Sequence, residues 1–147
     1  MLNKNKINCP ETYIFRGQKA ASGFISNYNF KSKLIYKPLF GSQGDNIRLI
    51  ERPSDLEKLE NQTNIYYFQE YLDNSPNYDY RVLVINNNDN IKYFYMTRYG
   101  ETFINNFSKG AKCIKEKLNE DVIELAIKSS RLLNIDSVSY THLTLPT

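Results

Sequence analysis

Apolar and polar positions alternate along most of this chain, while one late stretch repeats with helical spacing. Residues 11–15 (ETYIF) follow Pro10 and alternate well enough for a short edge strand. Residues 17–26 predict a short helix. Residues 33–36 (KLIY) predict a compact strand and 47–51 (IRLIE) its partner, joined as a β-hairpin through the glycine-bearing loop 39–46. Pro53 and a capping box of Ser54 and Glu57 predict a helix over residues 54–61. Residues 65–71 (IYYFQEY) predict a strand heavy in aromatics. Residues 80–85 (YRVLVI) are almost continuously apolar, as expected of a strand buried on both faces. The turn 86–90 (NNNDN) then sends the chain back along 91–97 (IKYFYMT).

The helical stretch is 120–133. Asn119 is placed to cap it, Glu120 and Asp121 sit at its positive end, and Lys128 and Arg131 lie toward its negative end. Val122, Leu125, Ala126, Ser129, Leu132 and Leu133 share one face. Antiparallel strands with helices on one side make the fold class α+β.

At 147 residues the chain has room for one domain or two small subdomains. No apolar run approaches the roughly 18 residues that a membrane-spanning helix needs, so a cytoplasmic location is expected. The net charge of +3 is too mild for a nucleic-acid stripe, and neither nucleic acid nor membrane is expected as a partner. Cys9 and Cys113 lack metal-ligand spacing. The sole histidine, His142, stands in the final segment, so catalysis built on a native histidine is excluded. That segment, 138–147 (VSYTHLTLPT), carries no Lys, Arg, Asp or Glu and resembles translated sequencing adapter. It is expected to be a non-native tail, with the native protein continuing beyond Asp136.

Three segments carry candidate chemistry. Lys37-Pro38-Leu39-Phe40-Gly41-Ser42-Gln43-Gly44 sets a lysine at a strand end before a flexible loop. Glycines let backbone N–H groups converge on an anion, and the lysine adds a point charge. A plain hairpin turn with an exposed lysine would read the same way, and no Walker pattern is present. Phe68-Gln69-Glu70-Tyr71 ends the aromatic strand, where a strand edge can read an adenine or simply pack in a core. Asp79 and Arg81, two apart, project from one face of their strand. Their charges can steady each other toward a polar ligand or form an ordinary cross-strand ion pair. Arg98 closes the partner strand, and Asn105, Asn106, Lys109 and Gly110 follow in a polar loop.

In this order and spacing, KPLFGSQG, FQEY, YDYRVLV, MTRYGETFINNFSKGA and ELAIKSSRLLNID together resemble the RimK-type ATP-grasp glutamate ligases, over residues 2–136. The resemblance implies an ATP-grasp fold with two subdomains flanking an ATP cleft, truncated at its C-terminal end. Residues 1–67 would be the N-terminal subdomain, 68–137 the start of the C-terminal one, and 138–147 the non-native tail. It places Lys37, Gly41, Ser42, Gln43 and Gly44 on the phosphates. Main chain at Glu70 and Tyr71 would hold the adenine, with Asp79 also on ATP and Arg81 its companion. Arg98 and Asn106 would meet the reacting phosphate or the acceptor. There are departures: Asp45 and Asn46 stand where a loop glycine is frequent, and Ile104 stands where ribosomal-protein-modifying members have arginine. The resemblance leads one to expect that the family's metal-binding aspartate, glutamate and asparagine, its N-terminal domain and a further ATP lysine lie outside this segment.

The implied activity is an ATP-dependent carboxylate–amine ligation through an acyl phosphate. Glutamate would be joined to a carboxylate acceptor, either a protein tail or a small molecule. ATP and Mg²⁺ are the implied cofactors, with room for a homo-oligomer at full length. No metal ligand is assigned, so the fragment is expected to retain ATP binding without turnover. The alternatives are a non-catalytic nucleotide- or ligand-binding α+β module and a nucleic-acid binder using Lys and Tyr.

Overall fold

The computed structural model describes residues 7–41, 44–61, 63–73, 77–87, 90–104 and 106–141. They form two α+β units, one spanning Pro10–Asp73 and the other residues 77–141 with 7–9. Each pairs a four-stranded antiparallel sheet with one α-helix.

The first unit contains β1 (Thr12–Arg16), α1 (Gln18–Asn27), β2 (Leu34–Lys37), β3 (Arg48–Ile50) and β4 (Ile65–Glu70), in the sheet order β1-β4-β2-β3. The expected hairpin is formed, with Leu34 opposite Ile50 and Tyr36 opposite Arg48. β4 lies between β1 and β2 and stays paired as far as Glu70, and the unit runs to Asp73. Strand alternation turns Leu34, Tyr36, Ile50, Tyr66 and Phe68 inward, where Ala21 and Ile25 of α1 and Leu56 close over them. Phe68 is fully buried, its ring centroid 6.0–6.3 Å from those of Tyr36, Phe15, Phe24 and Tyr66.

The helix expected over 54–61 is instead a 3-10 helix, Pro53–Lys58. The Ser54 hydroxyl does not cap it. The Asp55 carboxylate accepts from the Lys58 ammonium at 3.1 Å and the Glu51 N–H at 3.2 Å, which holds its pKa below the ordinary value. That hook back to residue 51 favours a tight three-residue turn over an open α-helical one.

The second unit contains β5 (Tyr78–Asn87), β6 (Asn90–Tyr99), a 3-10 helix (Phe107–Lys109), β7 (Lys112–Ile114), α2 (Glu120–Leu133) and β8 (Ser137–Thr141), in the order β7-β6-β5-β8. α2 has the expected bounds. The Asn119 side chain accepts from the Asp121 N–H at 3.1 Å, and Asn134 ends the helix in the left-handed region, at φ 52°. Val122 and Ala126 pack on Val82, Val84 and Leu118, while Leu125, Leu132 and Leu133 are only half-buried. β5 is not buried on both faces as its composition suggested: Val82 and Val84 are sealed, but Arg81 and Ile85 are exposed. β7 was not foreseen. Nor was β8, which pairs with β5 from Ile85–Ser137 to Arg81–Thr141 and draws on the segment expected to be a tail. Among the described residues no helix is long and apolar enough to cross a membrane.

Phe68→Ala is expected to cost about 3–5 kcal/mol, through lost transfer energy and an unfilled cavity. Urea unfolding followed by near-UV circular dichroism measures this, and a loss below about 1 kcal/mol would contradict the packing described.

Candidate functional site

Lys37 ends β2 on the face of its sheet turned away from α1, because its parity is that of Ile35 and opposite to that of the buried Leu34 and Tyr36. Its Nζ donates to Gln69 Oε1 at 2.6 Å, and Gln69 Nε2 donates to Thr12 Oγ1 at 3.0 Å. A polar chain thus crosses β2, β4 and β1. Burial lowers the Lys37 pKa from its ordinary value. The loop beyond Lys37 leads out to Phe40, which is 78% exposed. A Cβ on Gly41 would stand 3.1 Å from Pro38 Cγ, and Gly44 adopts φ +80°. Ser42 and Gln43 lie outside the described residues. Asn46, in the loop before β3, sits at φ +57°, the left-handed region that Asn tolerates best after Gly.

At the end of β4, the Glu70 N–H donates to Glu11 O at 2.8 Å and the Tyr71 N–H to Lys33 O at 2.9 Å. Backbone bonding therefore occupies both N–H groups.

In the other unit, Asp79 does not pair with Arg81. It faces Arg98 across the hairpin, and Arg98 Nε donates to Asp79 Oδ1 at 2.8 Å, both residues being buried. Directly opposed antiparallel residues stand about 4.5–5.5 Å apart at Cβ, closer than neighbours two apart on one strand, so Arg98 is the better-placed partner. Arg81 is exposed and donates from Nε to Ser139 Oγ of β8 at 2.9 Å. Asp79 Oδ2 is buried and has no hydrogen-bond partner. A desolvated carboxylate oxygen costs free energy unless something donates to it, so Oδ2 is an acceptor suited to a ligand hydroxyl. The Asn106 carbonyl accepts from the N–H groups of Lys109 at 2.9 Å and Ala111 at 3.2 Å, which pins the polar loop. Gly110 is at φ +93°.

Parity places Asp79, Arg81 and Arg98 on the sheet face away from α2, beside Ile85, Phe94 and Met96, which are 37%, 59% and 37% exposed. Lys37 and its loop belong to one unit and Asp79 and Arg98 to the other. A hollow of about 470 Å³ on the α1 side of the first sheet, lined by Tyr13, Phe24, Tyr28 and Phe30, includes none of the candidates. The residues joined to Lys37 and Asp79, namely Gln69, Thr12 and Arg98 in this pairing, were not visible as partners from sequence. The only available signal was strand parity combined with register.

A family model for the RimK-like ATP-grasp domain matches residues 1–140. The chain belongs to this family. Relatives include the alpha-aminoadipate–LysW ligase LysX of Saccharolobus solfataricus, 26% identical over 136 residues that cover 87% of this chain and 48% of LysX. The coenzyme gamma-F420-2:alpha-L-glutamate ligase of Methanocaldococcus jannaschii is 27% identical, over 90% of this chain and 46% of that protein. A probable alpha-L-glutamate ligase of Haemophilus influenzae is 28% identical, over 92% and 46%. The chain thus spans just under half the length of these curated relatives. Among solved structures, the macrocyclase MdnC of Microcystis aeruginosa, bound with its precursor peptide MdnA, superposes with a TM-score of 0.57 at 14% identity, over 95% of this chain and 45% of MdnC. Phosphoribosylglycinamide synthetase from Anaerococcus prevotii gives 0.53 at 15% identity, over 95% of this chain and 36% of that one. These establish the ATP-grasp fold.

The donor sets in this RimK-like domain differ in what they suit. In one unit the Lys37 ammonium, held by a neutral amide, suits an anion; in the other the buried, unpartnered Asp79 Oδ2 suits a hydroxyl or N–H donor. Among the described residues no group of three His, Cys, Asp or Glu side chains could hold a metal ion, so no residue here is assigned to Mg²⁺.

Two outcomes follow from the charges. Removing the cation in Arg98→Met is expected to cost about 3–5 kcal/mol in chemical denaturation, because it strands a buried carboxylate, whereas Arg81→Ala should stay within about 0.5 kcal/mol. Lys37 has a folded pKa below its unfolded value of 10.5, so the unfolded chain holds that proton more tightly. The destabilisation is full below the folded pKa and vanishes as pH rises past 10.5. Lys37→Met should therefore raise the melting temperature at pH 7, with a gain that shrinks on titration toward pH 10.5. A lower melting temperature at pH 7 would contradict it.

Proposed function

We propose that this chain is the nucleotide-binding part of an ATP-dependent carboxylate–amine ligase that joins glutamate to a carboxylate acceptor through an acyl phosphate. The observation that carries the reading is Lys37, a partly desolvated ammonium fixed beside the Gly41–Gly44 loop in a chain that belongs to the RimK-like family. A carboxylate resists attack by an amine because its oxygen leaves poorly. Phosphorylation converts that oxygen into a good leaving group, and the protein's task is orientation and charge stabilisation.

In this reading Lys37 and the loop backbone hold phosphate oxygens, where low local dielectric strengthens the attraction. Glu70 and Tyr71 border the adenine, and Asp79 Oδ2 accepts from a nucleoside hydroxyl. Arg98 holds the Asp79 carboxylate in place, and Arg81 and Asn106 are assigned to the phosphate and acceptor side. The names of two relatives, both alpha-L-glutamate ligases, support glutamate as the amine, and the coenzyme in one of those names supports a small-molecule acceptor beside a protein tail. Mg²⁺ would balance phosphate charge in a complete site.

A second reading, a module that binds nucleotide without turnover, rests on the same observations, since Lys37 and Asp79 Oδ2 suit binding by themselves. The two readings agree on binding and differ on phosphate release. Isothermal titration of the 147-residue chain with ATP should show saturable binding. One lost charge-assisted hydrogen bond predicts that Lys37→Ala weakens it roughly 10- to 150-fold. Unchanged affinity in that variant would overturn the site. Inorganic phosphate released in the presence of Mg²⁺, glutamate and acceptor would decide for the ligase over the module.

A further inference from the structure

Lys37 could have been held by a carboxylate, the usual partner of a half-buried ammonium, but its partner is a neutral amide whose other end is also bonded. We propose that Gln69 is a positioning residue that aims the Lys37 ammonium across the open sheet face without neutralising it, and that Thr12 fixes the amide in the one orientation that can do so. The inference rests on the reading of Lys37 as a phosphate contact and adds to it the groups that make the contact effective.

The geometry supplies three steps. Ile35 of β2 and Thr12 of β1 both stand opposite Gln69 of β4, so the Gln69 amide lies between the two flanking strands, and Lys37 follows two residues after Ile35 on the same face. Lys37 Nζ has three N–H donors and no acceptor, so it selects the amide oxygen. The amide nitrogen then points the other way and finds Thr12 Oγ1, which can accept while its own hydroxyl donates to Pro10 O at 3.2 Å. Reversing the amide would set an NH₂ against the ammonium, and the Thr12 contact opposes that reversal. A glutamate at 69 would grip the lysine more strongly but would cancel the charge that an incoming phosphate needs. A leucine would leave a long side chain free to swing, at a cost in rotamer entropy on binding.

The test uses the whole chain with Gln69→Leu, Gln69→Glu and Thr12→Val. The Lys37 ammonium is titrated by carbon-13 NMR, its signal assigned by its loss in Lys37→Met, and ATP affinity is measured in parallel. With one net hydrogen bond to the charged form removed, Gln69→Leu should lower the Lys37 midpoint by roughly 0.5–1 pH unit and weaken ATP binding several-fold. Gln69→Glu should raise the midpoint and still weaken ATP binding. This opposed pair of movements is one that mere loss of structure would not produce. Thr12→Val should lower the midpoint by a smaller measurable amount. An unchanged midpoint in Gln69→Leu, or ATP bound by Gln69→Glu as tightly as by the parent chain, overturns the proposal. If Gln69→Leu fails to fold, Thr12→Val decides: a lowered midpoint supports the proposal and an unchanged one overturns it. Should the midpoints move as expected while Lys37→Ala keeps full ATP affinity, the phosphate role of Lys37 fails and the amide's hold on it stands.

Discussion

Among the described residues each four-stranded sheet carries one α-helix, packed against one of its two faces. The aromatic cluster under α1 and the valines under α2 occupy the sealed sides. Because strand side chains alternate with period two, every second residue is delivered to the other side regardless of its chemistry. Lys37, Gln69, Asp79, Arg81 and Arg98 all have that second parity. Strand parity thus separates these five side chains from the helix-covered core of their unit.

The two units treat their cations differently. Arg98 is buried against a carboxylate, and its positive charge is spent inside the protein. Lys37 meets a neutral amide and keeps its charge outward-looking. The first arrangement suits a fixed strut, since a buried pair resists displacement but offers little to a visitor. The second suits a contact for an anion, since a partly dehydrated cation gains more from an incoming phosphate than a fully hydrated one. The unmatched Asp79 Oδ2 leaves the strut with one acceptor unspent.

Six strands and the long helix were legible in the residues because alternation, glycine-bearing turns and the Asn119 cap are local signals. β7 was not, since three residues carry too little alternation to register. β8 was not, because a short uncharged segment reads equally as strand or tail until β5 is seen beside it. The 3-10 helix at Pro53–Lys58 replaced an α-helix because Asp55, not Ser54, makes the bond that matters. For the site, composition and order pointed to Lys37 and Asp79, but their partners lie 32 and 19 residues away. Those separations are set by strand register, which no local pattern encodes. Whether the Glu70 and Tyr71 N–H groups are available was equally illegible, since it depends on what the neighbouring segment takes.

Asn46 carries a lesson about how such loops change over time. Its backbone sits where glycine is at home, yet the residue is an asparagine. The bend can therefore persist while the letter that advertises it is exchanged. Surveys that count glycines to find anion-cradling loops would undercount lineages like this one, and a tally of positive-φ positions would be the fairer census.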